Sequence, residues 1–178
     1  HDHIDGEGLV SKGWLKTKIL RAFKGEREVK RVPIKGIKSF HDDVYGAKRG
    51  ENVIYVFAVG GITFCHLGDL GHVLTDDQVA EIGSVNVLFV PVGGVYTVDA
   101  AQATRVVEQL RPNIAIPMHY KIHGLMQALA TVDDFIRGKE NVRILEASDI
   151  AMRRQDLPPP TWILVFRPPV SGVRPPAA

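Results

Sequence analysis

The sequence predicts an α/β or α+β fold, and two observations carry this prediction. Strand-like and helix-like segments alternate between residues 62 and 119, in the order strand, helix, strand, helix, strand. The first of these segments is an apolar run that stops abruptly at Gly68-Asp69-Leu70-Gly71, as a buried strand does when it presents a carboxylate at the rim of a sheet. We expect one domain over residues 1–167 and a Pro-rich, disordered tail over residues 168–178.

Length and composition exclude several classes of protein. With 178 residues, 45% of them hydrophobic, the chain can bury one core. Its 22 basic and 20 acidic residues give a net charge of +2, which provides no electrostatic reason to expect binding to nucleic acid or to an anionic membrane surface. No apolar run approaches the roughly 18 residues of a membrane span. Cys65 is the single cysteine, so an intrachain disulfide is excluded, and we expect a soluble protein of the cytoplasm.

The first part of the chain is predicted to be rich in strands. Residues 16–23 are compatible with a strand or a short helix, and a strand is favoured. Residues 28–34 and 37–40 alternate polar and apolar side chains, as half-exposed antiparallel strands do. Residues 42–52 have the composition of a loop. Two apolar strands over residues 52–59 and 62–67 flank Gly60-Gly61, a pair that favours a tight hairpin.

The second part of the chain is predicted to alternate helices and strands. Thr75 precedes two acids, which is typical of a helix N-cap, and the helix extends to residue 82. Thr97 or Asp99 caps a second helix, which Pro112 ends. A short third helix is expected over residues 131–139. Strands are expected over residues 85–92, 113–118, 141–147 and 161–167.

Asp69 has three clusters of candidate partners elsewhere in the chain. They are His1-Asp2-His3-Ile4-Asp5, Phe40-His41-Asp42 and Pro117-Met118-His119-Tyr120. His41 and His119 each follow a strand-like segment, as Asp69 does. Taken singly, such a residue is more often a hydrogen-bonded structural group. Taken together, imidazole and carboxylate groups are the ligands that zinc and similar divalent metals bind, so the sequence predicts a metal site.

These motifs occur in the order of the metal motifs of the metallo-β-lactamase superfamily, which the chain resembles from His1 to about residue 122. More narrowly, His66-Leu67-Gly68-Asp69-Leu70-Gly71-His72 and Pro91-Val92-Gly93-Gly94 resemble a bacterial and archaeal branch of predicted zinc-dependent hydrolases related to ascorbate-phosphate lactonases. The resemblance implies an αβ/βα sandwich with the metal site on one edge between two sheets. The family has strands before the opening motif and this sequence has none there, so we expect the fold to be incomplete at its N-terminus.

The resemblance also implies the ligands of two metal ions, with Asp69 bridging both. The first ion would also be bound by His1, His3 and His41. The second ion would also be bound by Asp5 and His119. The family's opening motif is His-x-His-x-Asp-His, and this chain has Gly6 where the final histidine belongs. The second ion is therefore expected to bind weakly. Zinc is the expected metal, as one or two ions, with manganese or iron as alternatives.

The predicted function is a metal-dependent hydrolase that acts on a small-molecule ester, lactone or phosphodiester. A divalent ion lowers the pKa of bound water to about 7, so hydroxide is available at neutral pH, with Asp69 and Asp5 as the catalytic carboxylates. His72 and Tyr120 are candidate substrate-binding residues, although packing explains an aromatic residue next to a ligand more often. The alternative is a non-catalytic relative that keeps the scaffold as a binding or structural subunit with an impaired metal site.

Two further expectations concern the strands. Strands missing ahead of His1 would leave an edge or a face of the sheet uncovered, and another chain tends to cover such surfaces. We therefore expect a homo-oligomer, namely a dimer, formed through the region of residues 16–40, or else poor solubility. In the strand before Asp69, we expect Cys65 to lie in the core and His66 to form a hydrogen bond rather than to bind metal.

Overall fold

The structure is a computed structural model, and it describes residues 19–167. The strands are β1 (Gly25–Val29), β2 (Val32–Phe40), β3 (Glu51–Val59), β4 (Ile62–His66), β5 (Val87–Pro91), β6 (Ile114–Met118), β7 (Val142–Leu145) and β8 (Trp162–Phe166). The helices are α1 (Asp76–Ile82), α2 (Ala100–Leu110) and α3 (Val132–Ile136), with a short 3-10 helix at Arg154–Asp156. Four residues of the predicted metal motif, and the predicted tail, lie outside the described residues: His1, His3, Asp5, Gly6 and residues 168–178.

The strands form one mixed sheet in the order β1-β2-β3-β4-β5-β6-β8-β7. The first four strands pair antiparallel through short connections, and all pairs from β4 to β7 are parallel. The predicted α+β class is therefore confirmed. The resemblance implies a sandwich of two sheets. Within residues 19–167, the structure contains this one sheet.

The direction of the strands decides where their ends meet. Because β2 and β4 both run antiparallel to β3, β2 runs in the same direction as β4, β5 and β6. The carboxyl ends of these four strands therefore lie along one edge of the sheet, where ligands of α/β sheets are commonly bound. His41 follows β2, Asp69 follows β4 and His119 follows β6, so all three residues lie along this edge.

The two faces of the sheet are covered differently. The three helices pack on one face, where Ile82, Val106 and Phe135 join the inward-facing strand residues in the main core. Those strand residues are Ile37, Ile54, Cys65, Leu88, Val90, Ala115, Ile163 and Val165. On the opposite face a smaller cluster is covered in part by Met152 and Leu157; its buried members are Ile62, Val87, Ile114, Ile116 and Leu164.

Local sequence signals account for most element boundaries. Gly60 and Gly61 have φ values of 59° and 75°, which is the backbone that a two-residue hairpin between β3 and β4 requires. Thr75 and Asp99 each form a capping box with the residue three positions on, so the first helix cap is confirmed and Asp99, rather than Thr97, caps α2. Thr97 is instead buried, and its hydroxyl donates to the carbonyl of Val98 at 3.3 Å.

Two predictions for the N-terminal strands are wrong. Residues 19–23 are not a strand, and β2 is a single strand through Gly36 rather than two short ones. The turn lies earlier, at Lys30 and Arg31, which adopt φ values of 51° and 66° without the glycine or asparagine that usually marks such a turn. Gly36 does not end the strand. It allows the backbone of Phe23 to approach, since a Cβ at Gly36 would lie 1.9 Å from the carbonyl oxygen of Phe23.

The edge strand β1 offers little to a pairing partner. Glu26, Arg27 and Glu28 are exposed on it, and charged side chains on an edge strand oppose pairing with another chain. The predicted homo-oligomer stays a prediction, since the structure contains one chain. Within residues 19–167, no helix is both long enough and apolar enough to cross a membrane.

The fully buried Phe135 provides a test of the helix-covered core. It has 0% exposure although α3 has only five residues, so the packing of this side chain is what holds the short helix on the sheet. We expect Phe135→Ala to lower the free energy of unfolding by about 3–5 kcal/mol because it leaves a cavity. The matched control is Met126→Ala, at a side chain 95% exposed; it should change stability by less than about 0.5 kcal/mol. Urea denaturation measures both, and equal effects would contradict this packing.

Candidate functional site

His41 and Asp69 meet at the shared edge of the sheet. Nε2 of His41 lies 3.6 Å from Oδ2 of Asp69, and the two side chains are 8% and 26% exposed. A nearly buried imidazole therefore faces a carboxylate that still reaches solvent. This is the arrangement that the order of the motifs predicts for these two residues, and nitrogen and oxygen donors of this kind suit a borderline divalent metal.

Asn52 holds the loop that carries Asp69. Its side-chain oxygen accepts the backbone N–H of Asp69 at 3.0 Å, while its amide nitrogen donates to the carbonyl of Leu67 at 2.8 Å and to Oγ of Ser39 at 2.7 Å. Gly68, which lies between Leu67 and Asp69, has a φ of 60°, and a Cβ there would lie 2.4 Å from the side-chain oxygen of Asn52. Glycine is therefore required for the carboxylate to leave β4 at this angle.

The loop of Asp69 is also joined to the chain around His41. The N–H of Gly71 donates to the carbonyl of Phe40 at 2.9 Å, and a Cβ on Gly71 would come within 2.3 Å of the His41 carbonyl carbon. His72 accepts the N–H of Phe40 on Nε2 at 3.2 Å, and its Nδ1 lies 2.8 Å from the carbonyl of Val73. Both ring nitrogens of His72 thus contact backbone, which favours a structural role over the predicted substrate contact.

Asp42 organises the loop that follows His41. Its side chain is 2% exposed. One carboxylate oxygen accepts the N–H groups of Val44 and Gly46, and the other accepts those of Lys48 and Arg49, at distances of 2.7–3.0 Å. Burial raises the pKa of Asp42, but the four hydrogen bonds outweigh that effect and lower it to about 2. The carboxylate is therefore ionised and fixes the backbone of residues 42–49.

His119 lies further along the same edge, after β6. It has a φ of 54°, and its Nδ1 is buried without a hydrogen-bond partner within the described part of the chain. Gly93 allows this loop to approach, since a Cβ there would lie 2.1 Å from the His119 carbonyl oxygen. A buried ring nitrogen without a partner is costly unless something binds it, so His119 fits a metal ligand.

Tyr120 lies away from His41 and Asp69. It lines a different cavity together with Ile122, Val132 and Val165, and packs against the main core. Burial raises the pKa of its phenol, whose oxygen lies 3.5 Å from the carbonyl of Phe166. Packing within residues 19–167 therefore explains the position of the Tyr120 side chain. The predicted contact of Tyr120 with substrate stays a prediction.

An open cavity of about 380 Å³ lies beside Asp69 and His41. Asn52, His66 and Arg49 are among the other residues that line it. His66 accepts the N–H of Gly68 on Nδ1 at 3.0 Å, which confirms the expected hydrogen bond. Its neighbour Cys65 is buried in the core as expected, and burial raises the pKa of the thiol to about 12, so the thiol is neutral.

The described residues do not form a complete metal site by themselves. Within residues 19–167 no group of three or more histidine, cysteine, aspartate or glutamate side chains is arranged to hold a metal ion. The predicted ligands His1, His3 and Asp5 lie outside that range. The structure thus brings His41 and Asp69 into contact and places His119 on the same edge. It adds Asn52 and Arg49, which no sequence pattern marks as site residues.

Comparison with known proteins places the chain among relatives. The model of the Beta-lactamase superfamily domain matches residues 1–119. A protein of Carboxydothermus hydrogenoformans named UPF0173 metal-dependent hydrolase is 42% identical over 74 residues, which is 42% of this chain and 33% of the relative. One of the same name from Pyrobaculum islandicum is 30% identical over 147 residues, covering 71% of this chain and 65% of the relative. The chain thus spans a third to two thirds of the length of these two relatives.

A solved structure has the same fold. It is a Thermotoga maritima protein assigned to the Zn-dependent hydrolases of the metallo-beta-lactamase superfamily. It superposes with a TM-score of 0.70 at 36% identity over 84% of this chain and 72% of that one. The match of the family model to 119 of the 178 residues and this shared fold lead to one conclusion. The chain belongs to the metallo-β-lactamase superfamily.

Proposed function

We propose that the protein is a metal-dependent hydrolase that cleaves an ester, a lactone or a phosphodiester of a small molecule. The observation that carries this proposal is the contact between His41 and Asp69, 3.6 Å apart at the edge where four strands end. The names of the relatives, metal-dependent hydrolases, support the same reaction class. Zinc is the proposed metal because the Thermotoga maritima neighbour carries zinc in its name and because imidazole and carboxylate donors suit it.

The residues at the edge divide into those that would hold metal and those that hold the ligands in place. His41, Asp69 and His119 would bind metal together with His1, His3 and Asp5. When bound, a divalent ion supplies an acidified water and polarises the oxygen of the bond to be cleaved. Asn52 fixes the backbone of Asp69 through its N–H, so the carboxylate is positioned before substrate arrives.

The competing proposal is a non-catalytic relative that keeps the scaffold. It is favoured by Gly6 at the position of a family metal ligand and by the incomplete ligand set within the described region. The geometry favours the hydrolase, because His119 Nδ1 is buried without a hydrogen-bond partner among residues 19–167 and His41 faces Asp69. A scaffold protein gains nothing from leaving a polar atom buried and unsatisfied. We propose that the protein acts on a small molecule in the cytoplasm and that it forms a homo-oligomer.

Replacing Asp69 by alanine should abolish hydrolysis. The backbone N–H of Asp69 would still donate to Asn52, so the loop keeps its anchor and only the carboxylate is lost. We expect activity against aryl ester, lactone and phosphodiester substrates, with added zinc or manganese, to fall to the uncatalysed rate. The control is Asp43→Ala, which removes a carboxylate 71% exposed on the neighbouring loop and should retain wild-type activity. Full activity in Asp69→Ala would refute the proposed site, and inactive wild type with bound metal would favour the scaffold.

The number of metal ions tests the consequence of Gly6. Glycine supplies no donor where the family has a histidine, so dialysed protein should carry nearer one ion than two, measured by elemental analysis. Gly6→His should restore a second ion at the same metal concentration. A matched control is Gly8→His, which adds an imidazole two residues away and should leave the stoichiometry unchanged. Two tightly held ions in the unaltered protein would show that another residue fills the gap.

A further inference from the structure

Arg49 places a cation at the same cavity as Asp69 and His41. It lines the cavity of about 380 Å³, and its Cζ lies 5.3 Å from the centroid of the Tyr96 ring. Tyr96 belongs to the loop after β5, so the pair joins two loops at the edge where the strands end. Among residues 19–167, no carboxylate forms an ion pair with the Arg49 guanidinium.

Among the described residues, the acids beside the cavity have partners other than Arg49. Glu51 also lines the cavity, but its carboxylate pairs with Lys24 and, at 2.6 Å, with Lys38. Hydrogen bonds from these two lysines lower the pKa of Glu51 to about 2, so its charge is fully formed and already neutralised. The Asp69 carboxylate lies 3.6 Å from His41. Within residues 19–167, the Arg49 guanidinium therefore keeps hydrogen-bond donors next to the candidate site, in a form that matches the oxygens of a carboxylate or a phosphate.

The arginine is fixed at two points. At its backbone, the N–H donates to Oδ2 of Asp42 at 2.7 Å, within the loop that Asp42 organises. At its side chain, the guanidinium lies over Tyr96, a cation–π contact that leaves the edge of the plane available for hydrogen bonds. Tyr96 itself has a φ of 77°, which residues with a side chain rarely adopt. The Tyr96 loop is joined to the Asp69 loop by the bond from the Val98 N–H to the Leu70 carbonyl, at 2.8 Å.

We propose that Arg49 is an anion-binding subsite and that the substrate carries a carboxylate or phosphate group which this guanidinium binds while Asp69 lies at the bond to be cleaved. The role of Asp69 at the bond to be cleaved rests on the proposed function. Binding of an anion by Arg49 does not depend on turnover. Tyr96 is the positioning residue that holds the guanidinium plane. A merely structural Arg49–Tyr96 contact would stabilise the two loops without any preference for anionic ligands.

The kinetic test compares two esters with the same scissile bond and the same chain length. One is mono-4-nitrophenyl adipate, which ends in a carboxylate, and the other is 4-nitrophenyl hexanoate, which is neutral. Arg49→Gln should raise KM for the adipate about tenfold and leave kcat and the hexanoate KM unchanged, since a charge-assisted hydrogen bond is lost only with the anion. Lys48→Gln is the matched control: it removes the same charge from the neighbouring residue, whose side chain is 65% exposed, and should change neither KM.

The binding test separates this inference from the proposed hydrolysis. Two anions are titrated into the purified protein, acetate beside neutral methyl acetate and monomethyl phosphate beside neutral trimethyl phosphate, and the NMR signals of the arginine side chains are followed. We expect the Arg49 signal to shift with at least one anion and with neither neutral ester, and we expect about tenfold weaker binding in Arg49→Gln but not in Lys48→Gln. The preferred anion identifies carboxylate or phosphate as the substrate group.

The outcomes distinguish the two proposals. If the wild type hydrolyses neither these esters nor the lactone and phosphodiester substrates but Arg49 binds an anion, the subsite stands and the hydrolase proposal fails. If both esters are hydrolysed equally by the wild type and by Arg49→Gln, the hydrolase stands and the subsite is overturned. Anion binding that survives unchanged in Arg49→Gln also overturns the subsite. Thermal unfolding of each variant checks that the loops remain folded, and Arg49→Lys, which keeps the charge, should recover part of the adipate preference.

Discussion

The candidate site depends on one constraint, the common direction of β2, β4, β5 and β6. A residue that follows any of these strands lies on the same edge of the sheet, whatever its distance in sequence. His41 and Asp69 are 28 positions apart and still meet at 3.6 Å for this reason. The antiparallel hairpin of β3 and β4 is essential to this result. The chain reverses between β2 and β3 and a second time in this hairpin, so β4 has the direction of β2.

The edge is made rigid by polar side chains that bind backbone, in addition to buried apolar side chains such as Leu70 and Val98. Asn52 binds the Asp69 loop, Asp42 binds the loop after His41, and His72 joins the two by accepting the Phe40 N–H. Each of these groups satisfies buried donors that a loop cannot satisfy by itself. Glycines make the close approaches possible, most clearly Gly71, where any side chain would collide with the backbone of His41. The apolar core underneath then supports a site whose geometry is set by hydrogen bonds.

Sequence patterns predict the elements of this fold better than they predict the contacts between its loops. The Gly60-Gly61 hairpin and the caps of α1 and α2 follow from short-range chemistry, so they are recognisable without a structure. The Lys30-Arg31 turn was not recognisable, because neither residue type usually adopts a positive φ. The insertion of β8 between β6 and β7 likewise depends on pairing between distant segments. For the site, the order of the motifs identifies His41 and Asp69. In the sequence, Asn52 is only the polar first residue of a predicted strand and Arg49 only part of a basic loop, so neither pattern indicates a role in the site.

Charge at the cavity gives the strongest reason to regard this edge as a binding surface and not only as a well-braced end of a sheet. Glu51 is only two residues from Arg49 in the sequence, but the two side chains do not form an ion pair. Instead Glu51 binds two lysines, and Arg49 packs on an aromatic ring that cannot neutralise it. Asp42 is close in sequence as well, yet its carboxylate is used by backbone N–H groups, including that of Arg49 itself. Within residues 19–167, Glu51 and Asp42 are thus engaged by other groups, and the guanidinium lies at the cavity against Tyr96.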